Sequence, residues 1–306
     1  MRRQFNRILC ATDFSEVSES VVPYGINMAK ELTATLYICH VIDLPTVSVY
    51  GEAVFDPITE QQRFIDFARR EIENQLHDAP VDWNPLISIG STTEEITRLA
   101  AENAIDLVIT ATHGRSGLKR LFLGSVTERL MRTLSCPLLV LRSPGDADLK
   151  PLRQKFPFRK ILVGYDFSPD SEAAFNTSLS IAQEFESELH IMHVVEPTAY
   201  KDYMKFPSAP GEPLQRDLYD SIKRRLEELV PRDALDWCTP RAEVMVGKPY
   251  AELVRYAQIQ NIDLIATGVR GHGMVEDLLV GSTTDRVIRR APCPVLSVSR
   301  PASLST

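Results

Sequence analysis

The sequence predicts an α/β fold that occurs twice in one chain, and the first observation behind this prediction is an internal repeat. Phe5 to Ser15 aligns with Phe158 to Ser168 at an offset of 153 residues (from position 5 to 158), and Leu36 to Val41 aligns with Leu189 to Val194 at the same offset. Further along, Gly124 aligns with Gly281, an offset of 157 residues. Each half is therefore expected to be a complete structural unit. The halves differ by four residues, which we expect in the irregular stretch after the second strand.

The second observation is that strand-like and helix-like segments alternate within each half. The predicted elements of the first half are strands at 8–11, 36–42, 86–89, 107–111 and 138–141, and helices at 15–32, 57–76, 92–103 and 125–134. The second half repeats this order. Such alternation predicts a parallel, doubly wound sheet with helices on both of its faces.

Each element has its own local signal. Ile8 to Ala11 is a short apolar run that ends at a polar turn, as is typical of a strand buried in a parallel sheet. The first helix has apolar residues at Val17, Val21, Ile26 and Ala29. In its counterpart, Ser168 followed by Pro169 indicates a helix cap with proline at the first position. Asp56 and Pro57 open the long helix, whose apolar residues are Phe64, Phe67, Ile72 and Leu76.

Length and composition limit the class of protein. A chain of 306 residues is long enough for two domains. We predict a first domain at 1–143, a polar linker at 144–157 that begins near Pro144 and Gly145, and a second domain at 158–306.

The net charge of −7 argues against nucleic-acid binding. No apolar run reaches the roughly 18 residues of a membrane span, so we expect a cytoplasmic protein without a membrane partner. The five scattered cysteines are expected to be buried, reduced thiols.

A phosphate-cradle pattern occurs in both halves. In the second half, the predicted strand 264–267 runs into Gly268-Val269-Arg270-Gly271, and Gly281-Ser282 follows after nine more residues. The first half has Ala111-Thr112-His113-Gly114 and, after nine residues, Gly124-Ser125. Glycines allow positive φ and close approach of an anion to backbone N–H groups. The free N–H groups and the dipole of a helix start attract phosphate.

The position of these motifs predicts where a ligand binds. Asp13 and Asp166 follow the first strand of each half, and the glycine patterns follow the fourth. In doubly wound sheets, ligands bind beyond the carboxyl ends of the strands, so both motifs should lie on the same rim. Asp13 and Asp166 could then bind Mg²⁺ or a ribose. The alternative is that they only form turns ahead of a helix.

Other candidates have simpler explanations. Ser125 and Ser282 start segments that resemble helix capping boxes, although a capping serine can also bind phosphate. His40 and His193 occupy equivalent strand ends, where packing is a better explanation than catalysis or metal binding. Lys248 is not part of a P-loop, since Pro249 follows it and the glycine spacing is missing. The aromatic segment 200–206 could form a lid over the base or a partner surface, but a plain irregular connection is the better explanation.

The spacing Gly-x2-Gly-x9-Gly-Ser resembles the nucleotide-binding signature of the universal stress protein family. The supporting segments are Ile8 to Ser15, Ile161 to Ser168, His40 to Asp43, Thr112 to Leu118, Cys136 to Val140 and Cys293 to Leu296. The resemblance covers about 5–143 and 158–300. The chain is therefore similar to a tandem member of the family, with two such domains.

The resemblance implies a Rossmann-like fold with two five-stranded sheets of order 3-2-1-4-5 that form a pseudo-dimer, and it leaves room for a homodimer of chains. It also implies that ATP binds, with or without Mg²⁺. By position, the Asp after the first strand would lie by the ribose and adenine, and the residue two before it would line the base. Val41 or Val194, at the end of the second strand, would hydrogen-bond adenine through its backbone. The implied nucleotide-binding residues of the second half are Gly164, Asp166, Val194, Gly268, Gly271, Gly281, Ser282, Thr283 and Thr284. Those of the first half are Ala11, Asp13, Val41, Ala111, Gly114, Arg115, Gly124, Ser125, Val126 and Thr127.

The two copies depart from the family pattern differently. Ala111 replaces a glycine, which costs roughly 1 kcal/mol if φ must be positive and nothing if φ is ordinary. His113, Arg115 and Lys119 could supply donors or charge to that copy. The second half keeps all the glycines, but Glu276 and Asp277 make its loop more acidic. We favour the second half as the intact site.

Three functions follow as hypotheses. The first is a stress-response regulatory protein that binds ATP or a related adenine nucleotide and changes its contacts with a protein partner that the sequence does not identify. The second is a weak ATPase or phosphotransferase, for which Asp13 or Asp166 would be the acid–base candidates, although no nucleophile–base arrangement is visible. The third is a scaffold that binds no nucleotide.

Overall fold

The computed structural model describes residues 4–15, 18, 20–43, 57–112, 123–142, 156–196, 213–271 and 280–300. These residues form two compact units, one on each side of position 145. The predicted boundaries of the linker, 144–157, fall mostly outside the described residues and stay a prediction.

The first half is a five-stranded parallel sheet with helices between the strands. Its elements are β1 (Arg7–Ala11), α1 (Val21–Leu32), β2 (Thr35–Ile42), α2 (Pro57–Leu76), β3 (Trp83–Ile89), α3 (Thr92–Glu102), β4 (Leu107–Ala111), α4 (Ser125–Thr133) and β5 (Leu138–Leu141). The strand order is β3-β2-β1-β4-β5, and every pair is parallel. This is the predicted order 3-2-1-4-5.

The second half repeats the architecture. Its elements are β6 (Lys160–Gly164), α5 (Pro169–Phe185), β7 (Glu188–Val195), α6 (Pro213–Glu227), a 3-10 helix (Arg232–Asp236), β8 (Thr239–Val246), α7 (Pro249–Gln260), β9 (Leu264–Gly268), α8 (Ser282–Arg290) and β10 (Val295–Val298). The parallel order is β8-β7-β6-β9-β10. The prediction lacked the 3-10 helix. The predicted fold class, two tandem doubly wound α/β domains, is confirmed.

The hydrophobic core lies along the central strands of each sheet. Every residue of β4 is buried, and Ile8, Leu9 and Cys10 of β1 have no exposed surface. Helices cover both faces of such a sheet, so its inner strands read as continuous apolar runs. All five cysteines are buried, as predicted. In contrast, Phe64 and Phe67 of α2 are 45% and 48% exposed, so they are not core residues of that helix.

Strand register locates the four-residue difference between the halves. In the first half, Leu36 of β2 pairs with Trp83 of β3. In the second half, the equivalent Leu189 of β7 pairs with Pro240 of β8. The offset is 153 residues at the first member of each pair and 157 at the second, so the extra residues lie between the second and third strands, as predicted.

The first helix begins later than predicted. α1 starts at Val21 rather than Ser15, because the preceding turn is closed by Asp13. Asp13 Oδ1 accepts hydrogen bonds from Ser15 N at 3.1 Å, Ser15 Oγ at 2.6 Å and Ser18 Oγ at 2.7 Å. These side-chain bonds compete with a helical backbone. The second half behaves as predicted: Ser168 Oγ accepts from Ser171 N at 3.2 Å, and α5 begins directly at Pro169.

A buried histidine in the second half makes its stability depend on pH. His190 of β7 has no exposed surface, and its Nδ1 lies 2.8 Å from the Tyr256 hydroxyl of α7. Burial lowers the pKa of His190 to about 4, although Glu188, 3.3 Å from Nε2, opposes this shift. The other charged groups around this cluster are Lys160 of β6 and Arg241 and Glu243 of β8.

Acidification is therefore expected to destabilise the second half. The folded pKa lies below the ordinary value of 6.5, so between these two values the unfolded chain binds more protons than the folded one. The free energy of unfolding should fall as pH is lowered from about 6.5 to about 4. Fluorescence of Trp237 in a Trp83→Phe background would report unfolding of this half alone. His190→Gln should flatten the decline, and parallel curves for the two proteins would contradict the prediction.

Candidate functional site

A cleft opens in the second half at the carboxyl ends of β6, β7 and β9. Its volume is about 700 Å³, within the range of ligand sites. It is lined by the turn after β6, the end of β7, one side chain of α6, the start of α7, the loop after β9 and the start of α8. This is the rim on which the Asp turn and the glycine pattern were predicted to meet.

The start of α8 supplies hydrogen-bond donors to the cleft. Gly281 is the N-cap residue, and its own N–H donates to Val269 O at 2.8 Å. Helical bonding begins with Asp285 N, which donates to Gly281 O at 3.1 Å. The N–H groups of Ser282, Thr283 and Thr284 therefore have no acceptor within the helix. All three residues line the cleft, where these groups and the helix dipole favour an anion.

The capping-box alternative for the two serines is wrong. The N-cap residues are Gly124 and Gly281, and no side chain caps either helix. Ser125 and Ser282 are the first helical residues, and both are exposed. A glycine at the cap leaves the serine hydroxyl outside the helix, so Ser282 can face the cleft.

Threonine hydroxyls anchor each helix to its strand. Thr284 Oγ1 donates to Gly268 O at 2.6 Å, and Thr127 Oγ1 donates to Ala111 O at 3.0 Å. Both threonines are buried. Their hydroxyl protons are committed to the end of β9 or β4, so what they can donate to a ligand is their backbone N–H.

The glycines of the loop serve close approach rather than positive φ. Among the described glycines, positive φ occurs at Gly90 and Gly247, not at Gly268, Gly271 or Gly281. A Cβ on Gly268 would lie 2.7 Å from both Asp170 C and Ser171 N, the backbone at the start of α5. Of the two uses that the sequence allowed for these glycines, positive φ and close approach, positive φ does not occur at Gly268, Gly271 or Gly281.

Ala111 has an ordinary backbone φ, the alternative in which alanine is harmless. It is not among the residues with positive φ, so its Cβ carries no backbone strain. α1 begins at Val21, whereas α5, whose backbone crowds Gly268, begins at Pro169. The alanine is 4% exposed and belongs to the core.

Asp166 lies directly beside the glycine loop. A Cβ on Gly271 would lie 2.8 Å from Asp166 Oδ2, while Asp166 Oδ1 accepts from Ser168 N at 3.0 Å. One oxygen thus forms the turn and the other lies next to the Gly271 backbone. The structure brings together two motifs that are about a hundred residues apart in sequence.

The other end of the cleft is aromatic. Phe167 and His193 have ring centroids 5.1 Å apart, and the Arg225 guanidinium of α6 lies 4.1 Å above the Phe167 ring. His193 Nδ1 donates to Tyr165 O at 2.8 Å, and burial lowers its pKa. A neutral, bonded ring fits the packing role predicted for His193. Sequence reasoning missed Arg225, because nothing in the α6 pattern distinguishes it from other surface arginines.

The base-side candidates also lie at this end. Gly164 ends β6, and Val194 is the penultimate residue of β7. Both line the cleft. A Cβ on Gly164 would lie 3.0 Å from Leu253 Cδ1, so a small residue keeps this wall open.

The first-half candidates occupy equivalent places. Ala11 ends β1, Val41 is the penultimate residue of β2, and His40 stacks on Phe14 with centroids 4.4 Å apart. Gly124 N donates to Thr112 O at 3.0 Å, as Gly281 does to Val269. Ser125, Val126 and Thr127 form the first turn of α4. The candidates outside the described residues are Gly114 and Arg115, with His113 and Lys119, the acidic pair Glu276 and Asp277, and the segment 200–206.

The sheet order and the cleft define a doubly wound α/β protein with a cleft at its carboxyl rim, lined in part by the start of a helix. The model of the universal stress protein family matches residues 4–142 and 157–299. The chain therefore belongs to the universal stress protein family and has two of its domains.

Relatives and solved structures agree with this assignment. A universal stress protein of Mycobacterium tuberculosis (strain H37Rv) is 28% identical over 310 residues, which cover 96% of this chain and 97% of that protein. One from Methanocaldococcus jannaschii is 31% identical over 145 residues, which cover 46% of this chain and 84% of that protein. The crystal structure of a universal stress protein from Archaeoglobus fulgidus matches with a TM-score of 0.69 and 24% identity, covering 97% of this chain and 99% of that one. This last likeness concerns the fold. Among the described helices, none is long and apolar enough to cross a membrane.

Proposed function

We propose that the second half binds ATP or a related adenine nucleotide in its cleft. The observation that carries this proposal is a set of four cleft-lining residues, Gly271, Ser282, Thr283 and Thr284, whose N–H groups have no acceptor among the described residues. A polyphosphate supplies the oxygens that these donors lack. Gly281 lets the loop close against Val269, and Gly268 lets it pack on α5.

The rest of the cleft suits the nucleoside. Asp166 lies beside Gly271 and would accept hydrogen bonds from the ribose hydroxyls. Gly164 and Val194 would line the base, the latter through its backbone. Phe167 and Arg225 would close the aromatic end, where a base can stack or meet a guanidinium.

Mg²⁺ would come with the nucleotide rather than from a preformed metal site. Among the described residues, no group of three or more His, Cys, Asp or Glu could hold a metal ion. A single carboxylate with substrate phosphates is a common arrangement for Mg²⁺, and Asp166 could provide it.

The first half is proposed as a second, different site. Ala11, Asp13, Val41, Ala111 and Gly124 would be its base and loop residues, with Gly114, Arg115, Ser125, Val126 and Thr127 at the phosphates. Asp13 Oδ1 already accepts from two serine residues. We therefore expect the second half to bind more tightly.

Family membership favours a regulatory role. Nucleotide occupancy would change the surface that a protein partner contacts, and the partner and the cytoplasmic location stay predictions. Slow ATP hydrolysis is the alternative, because Asp166 lies close enough to the loop to act on a bound phosphate.

Titration of the purified full chain with ATP tests the proposal. We expect saturable binding, which Asp166→Asn weakens about tenfold, since hydrogen bonds to charged groups contribute about 1.5–3 kcal/mol. Asp13→Asn is the matched control and should leave the tighter site unchanged. Absence of binding in both calorimetry and equilibrium dialysis would refute the proposal. Phosphate release that Asp166→Asn abolishes while ATP still binds would instead identify an enzyme.

A further inference from the structure

A buried carboxylate behind the glycine loop holds the loop in place. Asp170, the second residue of α5, is 3% exposed. Its Oδ2 accepts from Arg270 N at 3.0 Å and from Arg270 Nε at 3.1 Å, and its Oδ1 accepts from Arg300 N at 3.1 Å. One side chain thus connects the start of α5, the loop after β9 and the residues after β10.

These bonds fix the orientation of the loop backbone. Arg270 lies between Val269, whose N–H donates to Val298 O at 2.9 Å, and Gly271, a residue that lines the cleft. Arg270 O in turn accepts from Ser168 Oγ at 3.3 Å. Since Arg270 N and Arg270 O are both bonded to the start of α5, the peptide group that joins Arg270 to Gly271 has little freedom to change its orientation.

We propose that Asp170 is a positioning residue for the anion site, one that preorganises the Gly268–Gly271 loop for a ligand it does not itself contact. The inference rests on the proposed function for the identity of the ligand. Preorganised donors bind a ligand more tightly, because none of the binding free energy is used to order the loop. The two halves differ here in sequence, since the residue that aligns with Asp170 at the 153-residue offset is Val17. A valine side chain has no hydrogen-bond acceptor.

The alternative is that Asp170 only stabilises the fold, as an acidic residue in the first turn of a helix does. Asp263 offers a matched control for that role. Its Oδ2 accepts from Arg159 N and Lys160 N, both at 3.0 Å, at the amino ends of β6 and β9, on the opposite rim from the cleft. Each carboxylate accepts two hydrogen bonds from one neighbouring segment, but only Asp170 bonds the Gly268–Gly271 loop.

The test compares Asp170→Val, Asp170→Asn and Asp263→Asn in the full chain. Two quantities are measured: ATP affinity by calorimetry and, without nucleotide, the hydrogen-exchange rate of the Arg270 and Gly271 amides by NMR. We expect Asp170→Val to weaken ATP binding about tenfold or more and Asp170→Asn to weaken it less, since the amide keeps one acceptor oxygen. Exchange at Arg270 should rise about tenfold in Asp170→Val. Asp263→Asn should change neither quantity, whatever its effect on stability.

The outcomes separate this inference from the proposed function. Unchanged ATP affinity in Asp170→Val overturns the positioning role, as does an equal loss in Asp263→Asn. If the unmodified chain binds no ATP, the proposed function fails, and amide exchange alone decides: a rise confined to the Asp170 variants supports the clamp, and no rise overturns it. Should Asp170→Val not fold, Asp170→Asn gives the same comparison.

Discussion

Gly268→Ala is expected to lower the free energy of unfolding of the second half by about 3 kcal/mol, because one added methyl group would overlap a helix backbone. The new Cβ would lie 2.7 Å from Asp170 C and Ser171 N. Neither atom can swing aside as a side chain can, so α5 or β9 must shift. The measurement is denaturant unfolding followed by Trp237 fluorescence in the Trp83→Phe background.

The reverse exchange in the first half is the matched control. Ala111→Gly removes a buried methyl group and adds backbone freedom, so it should cost about 1 kcal/mol in the first half, followed by Trp83 in a Trp237→Phe background. The same change, glycine to alanine, then has opposite signs at equivalent positions. A stability of Gly268→Ala equal to that of the unmodified chain would show that α5 does not crowd this position.

Gly271→Val is expected to reduce the ATP affinity of the second half by a factor of about 100 or more. Its Cβ would lie 2.8 Å from Asp166 Oδ2, and the two methyl groups beyond it would extend into the cleft. The substitution would displace Asp166, the proposed acceptor for the ribose hydroxyls, and would block the Gly271 N–H. Each lost hydrogen bond would cost roughly 1.5–3 kcal/mol of binding free energy. Stability should change little, because the Asp166 side chain can move away.

Gly114→Val is the corresponding variant of the first half. The number of ATP molecules bound per chain is measured by calorimetry for each variant and for the double variant. We expect Gly271→Val to remove the tighter site and Gly114→Val to affect only the weaker one. Stoichiometry that neither variant changes would contradict the assignment of the glycine loops to phosphate binding.

Much of the fold follows from local sequence signals. The strands at 107–111 and 138–141 have the predicted bounds, because a short apolar run between polar turns marks where a buried strand begins and ends. The first helix does not, since Ser15 to Ser20 resembles a helix start while Asp13 draws Ser15 and Ser18 into a turn. Whether the turn or the helix forms depends on the geometry of these side chains, and the spacing of apolar residues gives no information about it.

The candidate site was predictable where it follows strand ends. Asp166 and Gly271 could be placed on one rim because parallel strands all end on the same side of the sheet. The roles of individual atoms could not be predicted. Thr284 was expected to hold phosphate, yet its hydroxyl bonds Gly268 O, and Ser282 resembled a cap although Gly281 is the N-cap residue.

The sequence by itself determined the duplication, the alternation of strands and helices, the strand order that family resemblance implied, and the rim on which the motifs lie. These depend on local periodicity and on repeated spacing, which one chain contains. Only the tertiary structure showed why residue 268 is glycine, that Ala111 has an ordinary φ, which hydroxyls are already bonded, that Asp170 bonds the glycine loop and that Arg225 lines the cleft. Those facts depend on distances of a few ångströms between segments as far apart as Asp170 and Arg270, 100 residues along the chain, and no local pattern records them.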